Sequence, residues 1–187
     1  DPRGIRKRGI RTMMKFGKKF LSWGFVPALL ALCGCAASTD SIASVRNFDS
    51  KRYLGTWYEI ARLPHRFERD LDFVSAHYSE QGDGTIRGVN RGQRDGKERE
   101  AVGKAHFKGA SDVGELRVSF FGPFYGDYRI VELAPDYSSA IVTSSTKNSL
   151  WILSRTPRLS KETLEKYLAQ IREWGFDVSA LEYPKQK

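Results

Sequence analysis

Gly55-Thr56-Trp57-Tyr58-Glu59-Ile60-Ala61 is the stretch on which the fold of this chain turns. It reads as the first strand of an all-β domain. Gly55 has no Cβ, so another backbone can approach it closely. Strand alternation puts Trp57, Glu59 and Ala61 on one side and Tyr58, Ile60 and Arg62 on the other. A large indole at the start of a first strand suits a plug for one end of a closed sheet.

Outward from that stretch the chain is a series of short strand-like runs punctuated by turns. Leu63 to Asp70 is too charged and irregular for a strand and reads as a long loop, with Phe67 and Leu71 turned inward over the domain. Phe73–Ser79 is the second run, Thr85–Gln93 the third, Arg99–Lys108 the fourth and Gly114–Phe121 the fifth. Gly122-Pro123 breaks the chain before Asp127–Leu133, Ser138–Ser145 and Ser149–Arg155. Gly82, Gly84 and Gly96 fall in hairpin turns. Eight such strands predict an up-and-down antiparallel barrel, whose closure removes exposed sheet edges. An interior of that size holds packed side chains or one small ligand.

One helix is expected after the strands. Ser160 is placed to cap it, and Leu159 and Leu164 to staple its entry. Leu164, Tyr167, Leu168, Ile171 and Trp174 form an apolar stripe at helical spacing, which packs the helix outside the barrel. Gly175 supplies the left-handed stop. Phe176 to Tyr183 reads as a docked tail.

The 187 residues carry a net charge of +9. Its distribution excludes a nucleic-acid surface. Residues 1–34 hold eight Lys/Arg against one acid, so the remaining 23 basic and 21 acidic residues leave only +2. The leader has a secretion pattern, with Lys15, Lys18 and Lys19 ahead of an apolar run from Phe20 to Leu32 that is too short to span a bilayer. The run ends in Leu32-Cys33-Gly34-Cys35, which resembles a bacterial lipobox and marks Cys35 for lipidation. No Asp follows Cys35, which resembles the outer-membrane rather than the retained case. Met13 or Met14 is the expected start. Residues 1–34 are thus read as leader, 35–46 as a lipidated tether and 47–187 as the barrel domain. Cleavage before Cys35 leaves a single cysteine, so the core and sheet closure must supply stability without an intramolecular disulfide.

Three motifs at matching spacing give the chain a resemblance to the lipocalin family, nearest its bacterial outer-membrane lipoproteins and their apolipoprotein D-like relatives. Gly55-x-Trp57-Tyr58 resembles the first-strand signature. Pro135-Asp136-Tyr137 falls where the family often has Thr-Asp-Tyr. Trp151-Ile152-Leu153-Ser154-Arg155 resembles the last-strand signature, whose arginine packs across the first-strand tryptophan. The resemblance implies that Trp57 and Arg155 seal the base and that the lumen takes fatty acids or lysophospholipids. It places Trp151, Tyr78 and Asn90 on the lumen wall, with Phe121, Tyr125 and Tyr128 nearer the mouth. A ligand's polar group would seek a tyrosine hydroxyl, an amide or a cation such as Arg87, Arg91 or Arg129.

The chemistry-bearing residues point to binding. His65, His77 and His106 lack metal-ligand spacing, and neither a nucleophile elbow nor a phosphate loop is present. No metal or cofactor is expected. Glu59 shares a side with Trp57; burial there raises its pKa, and a structural hydrogen-bond or ion-pair role is expected of it. The implied function is a lipid-binding outer-membrane lipoprotein, anchored facing the periplasm, that stores or transports lipid for envelope maintenance. A homodimer fits this reading as well as a monomer. The alternatives are an enzyme acting on a lipid or pigment within such a barrel, and a structural envelope lipoprotein with a filled one.

Overall fold

The computed structural model describes residues 37–187, so the leader and Cys35 lie outside the described residues. The strands are β1 (Gly55–Arg62), β2 (Asp72–Glu80), β3 (Ile86–Arg94), β4 (Lys97–Phe107), β5 (Glu115–Phe121), β6 (Phe124–Leu133), β7 (Ser139–Thr143) and β8 (Leu150–Ser154). They pair antiparallel in chain order and close from β8 back to β1, as the turn spacing predicts. Strand β6 starts at Phe124 rather than Asp127, because Phe121 pairs with Phe124 across Gly122-Pro123. The two residues are therefore a tight hairpin turn between paired strands.

Alternation in β1 holds only as far as Glu59. The register against β8 slips between Glu59 and Ala61, and a bulge inserts one residue and reverses the faces beyond it. Ala61 therefore packs in the outer core beneath the helix, not on the side of Trp57. Arg62 turns back towards Glu59 and pairs with its carboxylate at 2.6 Å.

A second departure is the short helix α1 (Ser50–Tyr53), too short to leave a periodic signal. Asp49 caps it, accepting from Lys51 N at 2.9 Å. The helix closes the base of the barrel and aims Tyr53 inward. The expected outer helix is α2 (Lys161–Glu173), where the Ser160 hydroxyl accepts from Thr163 N at 3.1 Å. Tyr167 and Ile171 of its stripe are buried against the barrel, and Gly175 follows at φ +77°.

The two faces of the sheet thus carry two cores. Ile141 and Ile152 face α2 with Tyr167 and Ile171, whereas Val142 and Leu153 face inward with Trp57 and Tyr53. Leu181 to Gln186 complete the wall at the end away from α1. There β1 and β2 part after Tyr58↔Ser75, and the tail bridges them. Phe73 N donates to Lys185 O at 2.7 Å, and Gln186 Nε2 donates to Glu59 O at 2.7 Å and Val74 O at 2.9 Å.

The small polar segment ahead of Asn47 is docked along the outside of the barrel. Lys147 N donates to Ala37 O at 2.8 Å, Thr39 N to Ser145 O at 3.1 Å, and Gly114 N to Val45 O at 2.9 Å. A Cβ on Gly114 would lie 2.7 Å from the Val45 side chain, so this close crossing needs glycine. Arg129 fastens the segment, donating from Nη1 to Thr39 O at 2.9 Å and Oγ1 at 2.7 Å, and from Nη2 to Ile42 O at 2.5 Å. Arg129 is thus buried on the outer side and does not serve the lumen. Hydrogen bonds to a charged group contribute about 1.5–3 kcal/mol. Arg129→Met is therefore expected to speed amide exchange at Thr39 and Ile42 by roughly tenfold or more. Unchanged protection would show that the segment is held by its backbone bonds alone.

Candidate ligand-binding lumen

The site is built upward from the base. Trp57 is fully buried, and its Nε1 donates to Tyr53 O at 2.8 Å. The Arg155 guanidinium lies 3.9 Å from the indole centroid on the outer side. It also donates to Thr56 O at 2.9 Å, Arg52 O at 2.6 Å and Tyr137 O at 3.3 Å. Gly55 sits at φ +91°, a conformation that favours glycine, and a Cβ there would meet Arg155 Nη1 at 3.4 Å, about an ordinary contact. Glycine is therefore called for here by the backbone conformation and not by the close approach of another backbone. Tyr137 ties the base to α1, its hydroxyl accepting from Asp49 N at 2.9 Å.

Above the plug, three tyrosine hydroxyls form a chain. Tyr53 and Tyr128 are 2.8 Å apart and Tyr128 and Tyr78 are 3.2 Å apart. Burial pushes all three phenols well above their ordinary range, so they stay protonated. Two links use two of the three O–H protons, which leaves one to donate into the cavity. That cavity measures about 740 Å³, within the ~300–1,000 Å³ usual for ligand sites. Val74, Ala76 and Tyr78 of β2 line it on one face, with Trp151 and Leu153 of β8 elsewhere on the wall. Asn90 also lines it, and its Oδ1 is buried without a partner. Phe121 and Tyr125 stand at the rim, 64% and 41% exposed. Arg91 pairs with Glu100 on the exposed surface at 2.9 Å, and Arg87 is exposed. His77 also lies on the exposed side, against Thr56 Oγ1 at 3.0 Å.

A cluster of ionisable groups lies at the upper end of the cavity. Glu68, from the β1–β2 loop, reaches down to accept from Trp151 Nε1 at 3.0 Å and meets His65 Nε2 at 2.8 Å. Phe67 beside it borders the cavity mouth, 75% exposed and stacked on Phe121 at 6.1 Å, rather than being buried over the domain as expected. Glu68 takes the inward place in this loop. Leu71 does line the cavity. Arg62 joins Glu59 to Glu182, at 2.6 and 3.0 Å.

Burial, then the Glu68 charge, pushes the Glu59 carboxyl from 4.5 up to about 8, against the pull of Arg62. Burial would raise Glu68 as well, but His65, Trp151 and Arg62 together hold it below its ordinary value. The folded chain therefore keeps a proton on Glu59 that the unfolded chain releases near its ordinary pKa. Stability linked to that proton is full below about pH 4.5 and is lost as pH rises to about 8. Glu59→Gln is expected to flatten the fall of Tm across this window. A variant with the wild-type slope would show that Glu59 is ionised throughout.

Sequence reading did not single out Tyr53, Arg62 or Glu68 as site residues. Tyr53 precedes the first strand and enters through α1. Arg62 enters through the bulge, and Glu68 lies in a loop with no periodicity.

A family model described as a lipocalin-like domain matches residues 48–186. The chain is 46% identical over 160 residues to outer membrane lipoprotein Blc of Citrobacter freundii, covering 84% of this chain and 90% of that one. It is 33% identical over 144 residues to apolipoprotein D of Mus musculus, covering 72% and 75%. Among solved structures it is similar to insecticyanin from the tobacco hornworm, with TM-score 0.67, 21% identity and coverage of 82% and 88%.

Proposed function

The chain belongs to the lipocalin family, and on that premise we propose that it is a lipid-binding outer-membrane lipoprotein. Its lumen holds a fatty acid or lysophospholipid, for lipid storage or transport in envelope maintenance. The observation that carries this reading is the cavity of about 740 Å³, apolar along its walls and stoppered by Trp57 under Arg155. An acyl chain gains roughly 0.8 kcal/mol per buried CH₂ in such a site. Trp151, Tyr78 and Tyr128 contact the chain, Asn90 meets a polar group, and Phe121 and Tyr125 shape the mouth. The name of the bacterial relatives supports the outer-membrane placement. In this reading residues 1–34 are removed as a signal peptide, Cys35 carries the lipid, and the domain faces the periplasm. The reading is one of binding without turnover: Glu59, the cavity carboxyl with the most displaced pKa, is engaged by Arg62.

Mass spectrometry of lipid extracted from the purified full chain tests it. About one equivalent of acyl lipid is expected. An empty protein that also fails to quench Trp151 fluorescence with added lysophospholipid would overturn the reading, with Trp57 and Trp174 controlled by substitution. Chemical conversion of the lipid on incubation would favour an enzyme instead.

A further inference from the structure

We propose that the open end of the barrel docks on a phospholipid leaflet, its aromatic rim entering the interface, so that ligand passes between leaflet and lumen without crossing water. Two independent features of the fold meet at that end. The first is the rim. Strand β1 starts at the plugged base, so the β1–β2 and β5–β6 connections lie at the opposite end. They carry Phe67, Phe121 and Phe124, exposed by 75%, 64% and 78%. Phe67 and Phe121 stack on one another and not on the core. Three such rings around a cavity mouth form a continuous apolar edge, and aromatic rings favour the membrane–water interface.

The second feature is where the chain leaves the barrel. The docked N-terminal segment runs up the outer wall and reaches the β7–β8 connection, where Ala37 O accepts from Lys147 N at 2.8 Å. That connection is at the mouth end too. Cys35 precedes Ala37 by two residues, and two residues reach at most about 7 Å. A lipid on Cys35 therefore enters the membrane beside the mouth. A free tether over residues 35–46 would have left the orientation open, whereas the Arg129 clamp removes that slack.

Charge at this end is mixed, with a small positive excess. Arg66, Arg69, Arg91, Lys97 and Arg99 stand exposed beside Asp70, Asp95, Glu98 and Glu100. Apolar contact carries the docking, and its salt dependence is weak. The rim stands on the fold alone; the exit point rests on the lipidation of Cys35 in the proposed function, and the passage of ligand on its lipid-binding part.

The test uses the full chain, purified with its anchor and reconstituted into phosphatidylethanolamine–phosphatidylglycerol vesicles. An environment-sensitive fluorophore is attached through Phe124→Cys at the rim or Gly82→Cys at the plugged end. Wild type labelled in parallel reports any thiol at Cys35. The expected result is a blue-shifted rim label, quenched by nitroxide lipids and shielded from iodide, with the Gly82 label open to iodide. A rim label as open to iodide as Gly82 would overturn the proposal. So would a rim label shielded from iodide but untouched by nitroxide lipids, which would mark contact with a second copy of the chain. Phe67→Ser with Phe124→Ser is expected to slow transfer of a fluorescent lysolipid from vesicle to lumen by roughly tenfold or more. Binding of a soluble short-chain lysolipid, followed by Trp151, reports the lumen separately. Failure there with an inserted rim sinks the ligand reading and leaves the docking.

Discussion

Trp57→Ala is expected to destabilise the domain by about 3–5 kcal/mol, the usual cost of truncating a buried large aromatic. The side chain is fully buried and touches both the base of the lumen and the guanidinium beneath it. Its removal leaves a void that the surrounding strands cannot collapse into, because β1 and β8 are fixed by their pairing. For a domain of this size Tm falls ~2–4 °C per kcal/mol, so a drop of roughly 10 °C or more is expected in thermal melts. Arg155→Ala acts through the same contact and strips three carbonyls of their donor. A smaller loss of about 2 kcal/mol is expected, since the guanidinium is half-exposed. Arg155→Lys should recover little, because an ammonium cannot stack on the ring and fork to separate carbonyls together. The double variant should lose less than the sum of the two single losses. Strict additivity, or wild-type stability of either alanine variant, would mean that the pair does not seal the barrel.

Filling the lumen is expected to weaken binding about a hundredfold while sparing the fold. Ala76 lies on the cavity wall opposite Asn90 in the β2–β3 register and opposite Trp57 in the β1–β2 register. Its small side chain leaves the middle of the cavity open. Phe at this position would project a ring across it and displace about four methylenes of an acyl chain. At roughly 0.8 kcal/mol per CH₂ that is about 3 kcal/mol, or a hundredfold in Kd. Titration of lysophospholipid against Trp151 fluorescence measures it. Because the new ring enters space that is empty, the melt should move by only a few degrees. A variant with full affinity would move the ligand out of the lumen and leave the proposed function without its site.

How much of this was legible in the sequence depends on how local the signal is. The strands were readable from alternation and turn residues, and α2 from its stripe and the Ser160 cap. The Trp57–Arg155 contact was legible only through motif resemblance, since the two residues are far apart in the chain. The ionisable cluster was not legible. Its members come from a bulge in β1, an aperiodic loop and the C-terminal segment, and each takes its orientation from the others. Asn90 and Tyr78 could be assigned to the wall, but the lack of a partner at Asn90 Oδ1 depends on every strand around it.

The amino-acid order alone fixed the eight strands, their succession and the outer helix, because those follow from short-range periodicity, capping and turn chemistry. The reversal of faces after Glu59, the inward turn of Glu68 and the fastening of the N-terminal segment at the mouth were decided only by tertiary structure. Each depends on a contact between residues distant in sequence, and such a contact exists only once the barrel has brought them together.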